Sequence, residues 1–328
     1  MSPVGPTGPE KEDPIERVLE EGLARTPLTD DAYARIQAAV AVEWRTAVES
    51  SSSRPRHRWV AIAASLAAAT LFGAVLLYVF GKPSTLGVVA RTDRAFVLQT
   101  WLVPNRTLKV RSELRAGDVV VTSGPVLVEL QRGGTLRVAG GSRLEVTAAD
   151  EVSLEKGELY MDFAPDLHRA SAFIVRTPFG LVEHLGTQFD VALTNELRIR
   201  VREGSVRLRR GSQTETAAAG IELVVPRVGQ TTQRSIATHG SQWSWVEALE
   251  PEYPIEDRKL GDFLRWAARE SGRQVSFLDE HAREVAERTR LHGSIHGLSV
   301  TQALETIFAT TSLRYNFEQG RIEVSSGS

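Results

Sequence analysis

Seven histidines and no cysteine set the chemistry open to this 328-residue chain. Without thiols there is no disulfide framework, no thiolate zinc site, no iron–sulfur cluster and no cysteine nucleophile. His292 and His296 have the i, i+4 spacing that aligns two metal ligands on a helix. The sequence around them reads instead as a strand and a turn, with no evident carboxylate partner, so a surface role is expected. His184 follows Glu183, yet no serine lies near it in a Gly-x-Ser-x-Gly setting, so hydrolase chemistry has no nucleophile. No glycine-rich loop ends in Lys-Ser or Lys-Thr, and no dinucleotide fingerprint follows a strand. Asn105-Arg-Thr107 matches a glycosylation acceptor by a pattern too short to carry weight. The chain is read as a non-enzyme with no metal and no cofactor.

The charged pattern is more informative. Leu197-Arg-Ile-Arg-Val-Arg202 alternates apolar residues with arginines, the signature of a half-buried strand. An arginine row can bind anions or carbohydrate, but the wet face of a sheet is the expected reading. Overall, 42% hydrophobic and 24% charged residues describe a folded protein, and a net charge of -2 gives no pull toward nucleic acid.

The elements that would position such residues fall into four blocks. Residues 1–53 read as a helical arm after a Pro/Gly-rich start. Asp13 fits an N-cap, Pro14 the first helical position and Glu16 a capping box. Ile15, Val18, Leu19 and Leu23 share one face of this first helix. Thr29 can cap a second helix whose apolar stripe is Tyr33, Ile36, Val40 and Trp44. Two such helices bury little alone, so self-association or docking onto a cytoplasmic protein is expected. Ten acidic and five basic residues up to Glu49 argue against a DNA-binding helix-turn-helix.

Residues 54–82 carry the uncharged run Trp59 to Phe80, about 22 residues or roughly 33 Å of helix, enough to span a bilayer. Arg54, Arg56 and Arg58 crowd its N-terminal flank, which predicts an inward N-terminus and an outward C-terminus. A signal peptide would have a shorter apolar core nearer the start, and a buried core helix would carry charge. The expected localisation is therefore the bacterial inner membrane, single-pass, N-terminus cytoplasmic.

Residues 83–240 switch to short apolar runs punctuated by glycines such as Gly133-Gly134, Gly140-Gly141 and Gly157. Phe173-Ile-Val-Arg-Thr177-Pro178-Phe-Gly180 precedes Leu185-Gly186-Thr187-Gln-Phe189-Asp-Val191 and then Val201-Arg-Glu203-Gly204-Ser-Val206. This order of motifs resembles the FecR family of transmembrane sigma-factor regulators. The resemblance covers roughly Arg115 to Val225 and implies a β-solenoid-like or twisted multi-strand module. Physically, Pro178 and Gly180 suit a tight turn, Gly186 a close backbone approach and Gly204 a hairpin, so the motif residues read as structural.

Residues 241–328 read as a compact α+β unit. Leu260, Phe263, Leu264 and Ala267 make a helix face ending at Gly272, and Gln274 to Phe277 is the strand after it. Leu291 to Ile295 reads as a second strand. Ser299-Val-Thr-Gln302 is a capping box, and Leu313–Phe317, Gln319-Gly320 and Arg321–Val324 form a hairpin. The runs Leu291 to Ser299 and Ala303 to Tyr315 resemble the short N-terminal (STN) domain of secretins and TonB-dependent receptors.

Together these readings give a multidomain membrane protein: a small all-α cytoplasmic arm, one transmembrane helix, a β-rich FecR module and an STN-like α+β domain. The resemblance implies an anti-sigma factor. It would bind an extracytoplasmic-function sigma factor through the arm, with the lipid bilayer and an outer-membrane TonB-dependent receptor's signalling domain as further partners. An envelope scaffold contacting a secretin, a TonB-dependent receptor or cell-wall material is the alternative.

Overall fold

The computed structural model describes helical residues at 31, 34–35 and 37–41, and then residues 84–98, 105–163, 173–184, 186 and 188–327. Residues 1–81 and 82–328 separate into two units. In the first, the described positions are helical and exposed, with an Arg35–Asp31 ion pair one turn apart.

In the second unit the chain enters β1 (Thr85–Thr92), β2 (Ala95–Leu98), β3 (Arg106–Thr107), β4 (Glu113–Arg115), β5 (Val119–Thr122) and β6 (Val126–Leu130). It continues through β7 (Thr135–Val138), β8 (Arg143–Ala148), β9 (Glu151–Asp162), β10 (Ile174–Thr177), β11 (Gly180–His184) and β12 (Gln188–Leu193). β13 (Leu197–Glu203), β14 (Ser205–Arg210), β15 (Gln213–Ala218), β16 (Ile221–Val225) and β17 (Thr232–Ser235) complete the set.

Pairing resolves these strands into two sheets that share β9. The first runs β4-β1-β6-β7-β9-β12-β13-β16-β17. The second runs β3-β2-β5-β8-β9-β10-β11-β14-β15. Only β9–β10 is parallel among these pairs. Inward side chains of both sheets, such as Leu136, Leu159, Phe189 and Ile199 from the first and Val120, Leu154, Val182 and Leu208 from the second, meet in one hydrophobic cluster.

β9 joins the layers by a change of phase. Its first half buries Val152 and Leu154, its second Leu159 and Met161, with Glu155 and Lys156 both exposed between them. A bulge against β8 absorbs the extra residue. Gly157 then turns at φ 98°, and a Cβ there would stand 2.5 Å from Ser142 Cα.

After β17 the chain makes a 3₁₀ turn (Ser241–Trp243) and a one-turn helix α1 (Ser244–Glu247). It then forms α2 (Leu260–Ser271), β18 (Gln274–Phe277), α3 (Glu280–Arg288), α4 (Val300–Phe308), β19 (Leu313–Glu318) and β20 (Arg321–Ser326). The three strands order as β18-β20-β19, the first pair parallel. Phe263, Leu264, Ala303, Leu304, Ile322 and Val324 are among the residues of this part's own core. Gly272 ends α2 in the left-handed region, its N–H reaching the carbonyls of Ala268 and Arg269. Asp279 caps α3 by accepting from Ala282 N, and Ser299 with Gln302 forms the capping box of α4.

Three expectations need correction. First, the FecR region is not a β-solenoid: a solenoid stacks parallel coils, whereas here hairpins alternate between two sheets whose pairings are antiparallel except β9–β10. Second, the membrane-protein architecture is not met. The described chain is mostly β-sheet with few helices, no all-α domain stands among the described residues, and none of their helices is long and apolar enough to cross a membrane. The run Trp59 to Phe80, with Arg54, Arg56 and Arg58, lies outside the described residues. Third, Leu291 to Ile295 is not a strand. Leu291 and Ile295 plug the C-terminal core from an irregular loop, and only Arg290 makes an isolated bridge, to Lys259. α3, whose buried face offers only Ala282 and Ala286, takes the place before it.

Candidate functional site

The first sheet has an inner face in the hydrophobic core and an outer face that carries charge. Along the outer face lie Arg137 of β7, Tyr160 and Asp162 of β9, Gln188 and Asp190 of β12, and Arg200 and Arg202 of β13. All seven are buried. What buries them is the segment from Thr238 to Gly272. β12 is consequently buried at all six positions, as a strand covered on both faces must be.

Trp243 is the anchor. It is wholly buried, its indole N–H donates to Ala237 O at 3.0 Å, and its ring meets Tyr160 edge-on at 6.1 Å. The guanidinium carbons of Arg200 and Arg202 lie 5.1 and 5.0 Å from its centroid, close enough for cation–π attraction. Arg200 pairs with Asp190 at 2.6 Å and Glu158 at 2.8 Å. Arg202 donates to Thr238 O at 2.7 Å and to Glu247 of α1 at 2.8 Å.

The deepest contact joins the sheet to α2. Arg137, with no exposed surface, pairs with Glu270 at 2.6 Å and donates to Val246 O at 2.8 Å. Beside it Arg269 pairs with Asp162, donates to Phe163 O at 2.5 Å and pairs with Glu203 at 2.7 Å. Gln188 links Asp162 to the carbonyl of Arg269. Gly272 closes the seam: at φ 64° it brings the end of α2 so near that a Cβ would stand 2.0 Å from Thr238 O.

Burial dominates the electrostatics. Loss of water pushes Asp190 well above the ordinary carboxylate range, against the pull of Arg200 and with Glu158 reinforcing it. Glu270 is raised for the same first reason, Arg137 opposing. Burial would lower Arg137, but the charges of Glu270, Tyr160 and Asp162 prevail and hold it above its usual value. Glu250, which accepts from Val300 N at the start of α4, is pushed up to about 7 by burial and by Glu270.

Of the motif residues, Phe189 and Val191 are core side chains with no exposure. Thr177 organises the β10–β11 turn, its hydroxyl donating to Gly180 O and accepting from Phe179 N, and Pro178 is exposed in that turn. Gly180 passes so close to β14 that a Cβ would stand 2.4 Å from Arg209 O. Gly186 and Gly204 have φ of 77° and 74°, while Leu185 and Thr187 lie outside the described residues. Glu203 differs from the rest by reaching Arg269. In the arm, Val40 is described and 53% exposed; Ile15, Val18, Leu19, Leu23, Tyr33, Ile36 and Trp44 lie outside the described residues.

Two sequence readings change here. Two of the three arginines of β13 are not on a wet face: Arg200 and Arg202 are 7% and 3% exposed, while Arg198 is half-buried. The histidines do have carboxylate partners, His292 with Glu256 at 3.1 Å and His296 with Glu252 at 3.0 Å, in exposed pairs. No group of three or more potential ligands that could hold a metal is present among the described residues. Arg137, Tyr160, Asp162, Trp243, Arg269 and Glu270 were not legible as a site; the one signal was Trp243 and Trp245 at the start of the C-terminal part.

The arrangement fastens the sheet to the C-terminal part of the same chain. Residues 113–207 match the family model "FecR protein". No curated protein matches the chain. Two crystal structures of a "putative anti-sigma factor" from Parabacteroides distasonis, at 2.50 and 1.65 Å, align with it at 20% identity and a TM-score of 0.33. Each alignment covers 63% of this chain and 97% of the other.

Proposed function

We propose that the chain is a sigma-factor regulator, an anti-sigma factor in which residues 13–49 hold an extracytoplasmic-function sigma factor and the β-rich unit receives the signal. The observation that carries this reading is the FecR match over residues 113–207, which takes in most of the two-sheet core and all seven residues of the charged outer face. The chain works at the bacterial inner membrane, with residues 1–53 in the cytoplasm and the β-rich unit in the periplasm. A TonB-dependent receptor's signalling domain is the proposed periplasmic partner, on the resemblance of residues 291–315. By linkage, a ligand on the β-rich unit alters sigma binding only if it favours one of two states of the chain.

Affinity capture of the full-length protein, with mass spectrometry of what co-purifies, tests this. A sigma factor should be recovered, and Ile36→Asp with Val40→Asp should abolish its recovery. Capture of envelope proteins alone, or undiminished sigma capture by the double variant, contradicts the reading.

A further inference from the structure

A cavity of about 970 Å³ opens between the segment 247–256 and residues 293–302, the loop before α4 and its first turn. Its size is at the top of the range for small-molecule pockets, about 300–1,000 Å³, and suits several residues of extended chain. Its floor is the run Pro251-Glu-Tyr-Pro254, which has no helix or strand pairing. Proline at both ends keeps that backbone extended.

The walls are of two kinds. Tyr253 stacks on Trp266 with ring centroids 5.0 Å apart and planes 21° from parallel, and both rings line the cavity with Ile295 and Leu298. Glu247, Glu250, Glu252 and Glu256 supply carboxylates against a single arginine, Arg91. Arg91 donates through Nη2 to the carbonyls of Ala248 and Glu250, at 2.9 and 3.3 Å, and so holds the floor by its backbone and not by an ion pair to those carboxylates. Glu247 is taken by Arg202. That leaves three glutamates. Glu250 Oε2 is buried without a hydrogen-bond partner among the described residues, Glu252 is paired with the exposed His296, and Glu256 accepts from Gly293 N at 2.7 Å and pairs with the exposed His292. A guanidinium or ammonium is a stronger partner than either imidazole, and the aromatic pair offers a face to its apolar stem or its charge.

We infer that this groove binds an extended basic peptide segment of a partner protein, with an Arg or Lys side chain over the Tyr253–Trp266 pair and its charge among Glu250, Glu252 and Glu256. Charge complementarity commits the occupant: an acidic peptide would meet three glutamates that have no arginine or lysine ion pair among the described residues, and a purely apolar one would leave them desolvated. The inference goes beyond the sigma-factor reading and does not depend on it.

Fluorescence anisotropy of the full chain with a labelled Ala-Arg-Ala-Lys-Ala-Arg-Ala peptide, against the same peptide with Glu at the charged positions, tests it. The basic peptide should bind and the acidic one should not. Glu252→Gln with Glu256→Gln, both exposed and remote from the core, should weaken binding by at least about tenfold. Glu280→Gln with Glu284→Gln, an equal charge change on α3 outside the groove, should change it by less than about twofold. Failure of the basic peptide to bind, or equal weakening by the two double variants, overturns the proposal.

Discussion

β13 and β14 are consecutive strands, and both alternate arginines with apolar residues: Leu-Arg-Ile-Arg-Val-Arg in one, Val-Arg-Leu-Arg in the other. Their inner residues, Ile199 and Val201 and then Val206 and Leu208, enter the same core. Their arginines meet opposite fates. Arg207 and Arg209 stand on the second sheet with 41% and 51% of their side chains exposed, pairing loosely with Glu183 across the strand. Arg200 and Arg202 stand on the first sheet under Trp243 and α1, 8% and 1% exposed by side chain, each with short ion pairs. Strand periodicity assigns a face, and a segment some forty residues downstream assigns that face its solvent.

The comparison can be broken most severely at Arg137. Arg137→Ala leaves Glu270 buried and unpaired and should cost about 3–5 kcal/mol, read as a loss of denaturant stability and as new proteolysis between residues 236 and 259. Next, Gly272→Ala forces a left-handed alanine, about 1–2 kcal/mol in itself, against Thr238 O and Arg202. A substantial fall in melting temperature with an intact second sheet is expected.

A double-mutant cycle sharpens the buried side. Asp190→Leu or Arg200→Met alone should destabilise by a few kcal/mol, but the double variant should regain most of that loss because no charge is then stranded. Additive losses would mean that the pair is not isolated from water.

Glu250 supplies a pH signature. Its folded-state value is raised from 4.5 to about 7, so the folded protein binds the extra proton. Its contribution is therefore fully present below pH 4.5 and is lost as pH rises through about 7. Unfolding measured across that window should show the decline, and Glu250→Gln should flatten it. The smallest effect belongs to the wet strand: Arg207→Gln with Arg209→Gln should change stability by less than about 1 kcal/mol.

Local signals were legible where one element decides the outcome. The Ser299–Gln302 capping box, the α2 face ending at Gly272 and the turn at Gln319-Gly320, both at positive φ, follow from neighbouring residues alone. The motif glycines were legible because chain sterics require them. β9 was not, because a bulge reverses its alternation and the covering segment then buries both faces of its second half. Leu291 and Ile295 misled because apolar alternation records burial, and a loop can bury two plugs without a ladder. The charged site could not be assembled from the sequence at all: Arg137 and Glu270 are 133 positions apart, and neither has a partner within its own element.

Arginine-selective modification of the native full chain with phenylglyoxal, mapped by mass spectrometry, tests the central contrast directly. Arg207 and Arg209 should be modified readily, while Arg137, Arg200 and Arg202 stay protected until the protein unfolds. Modification of Arg200 and Arg202 at the rate of Arg207 and Arg209 would mean that the C-terminal part does not cover the sheet, and would contradict the account.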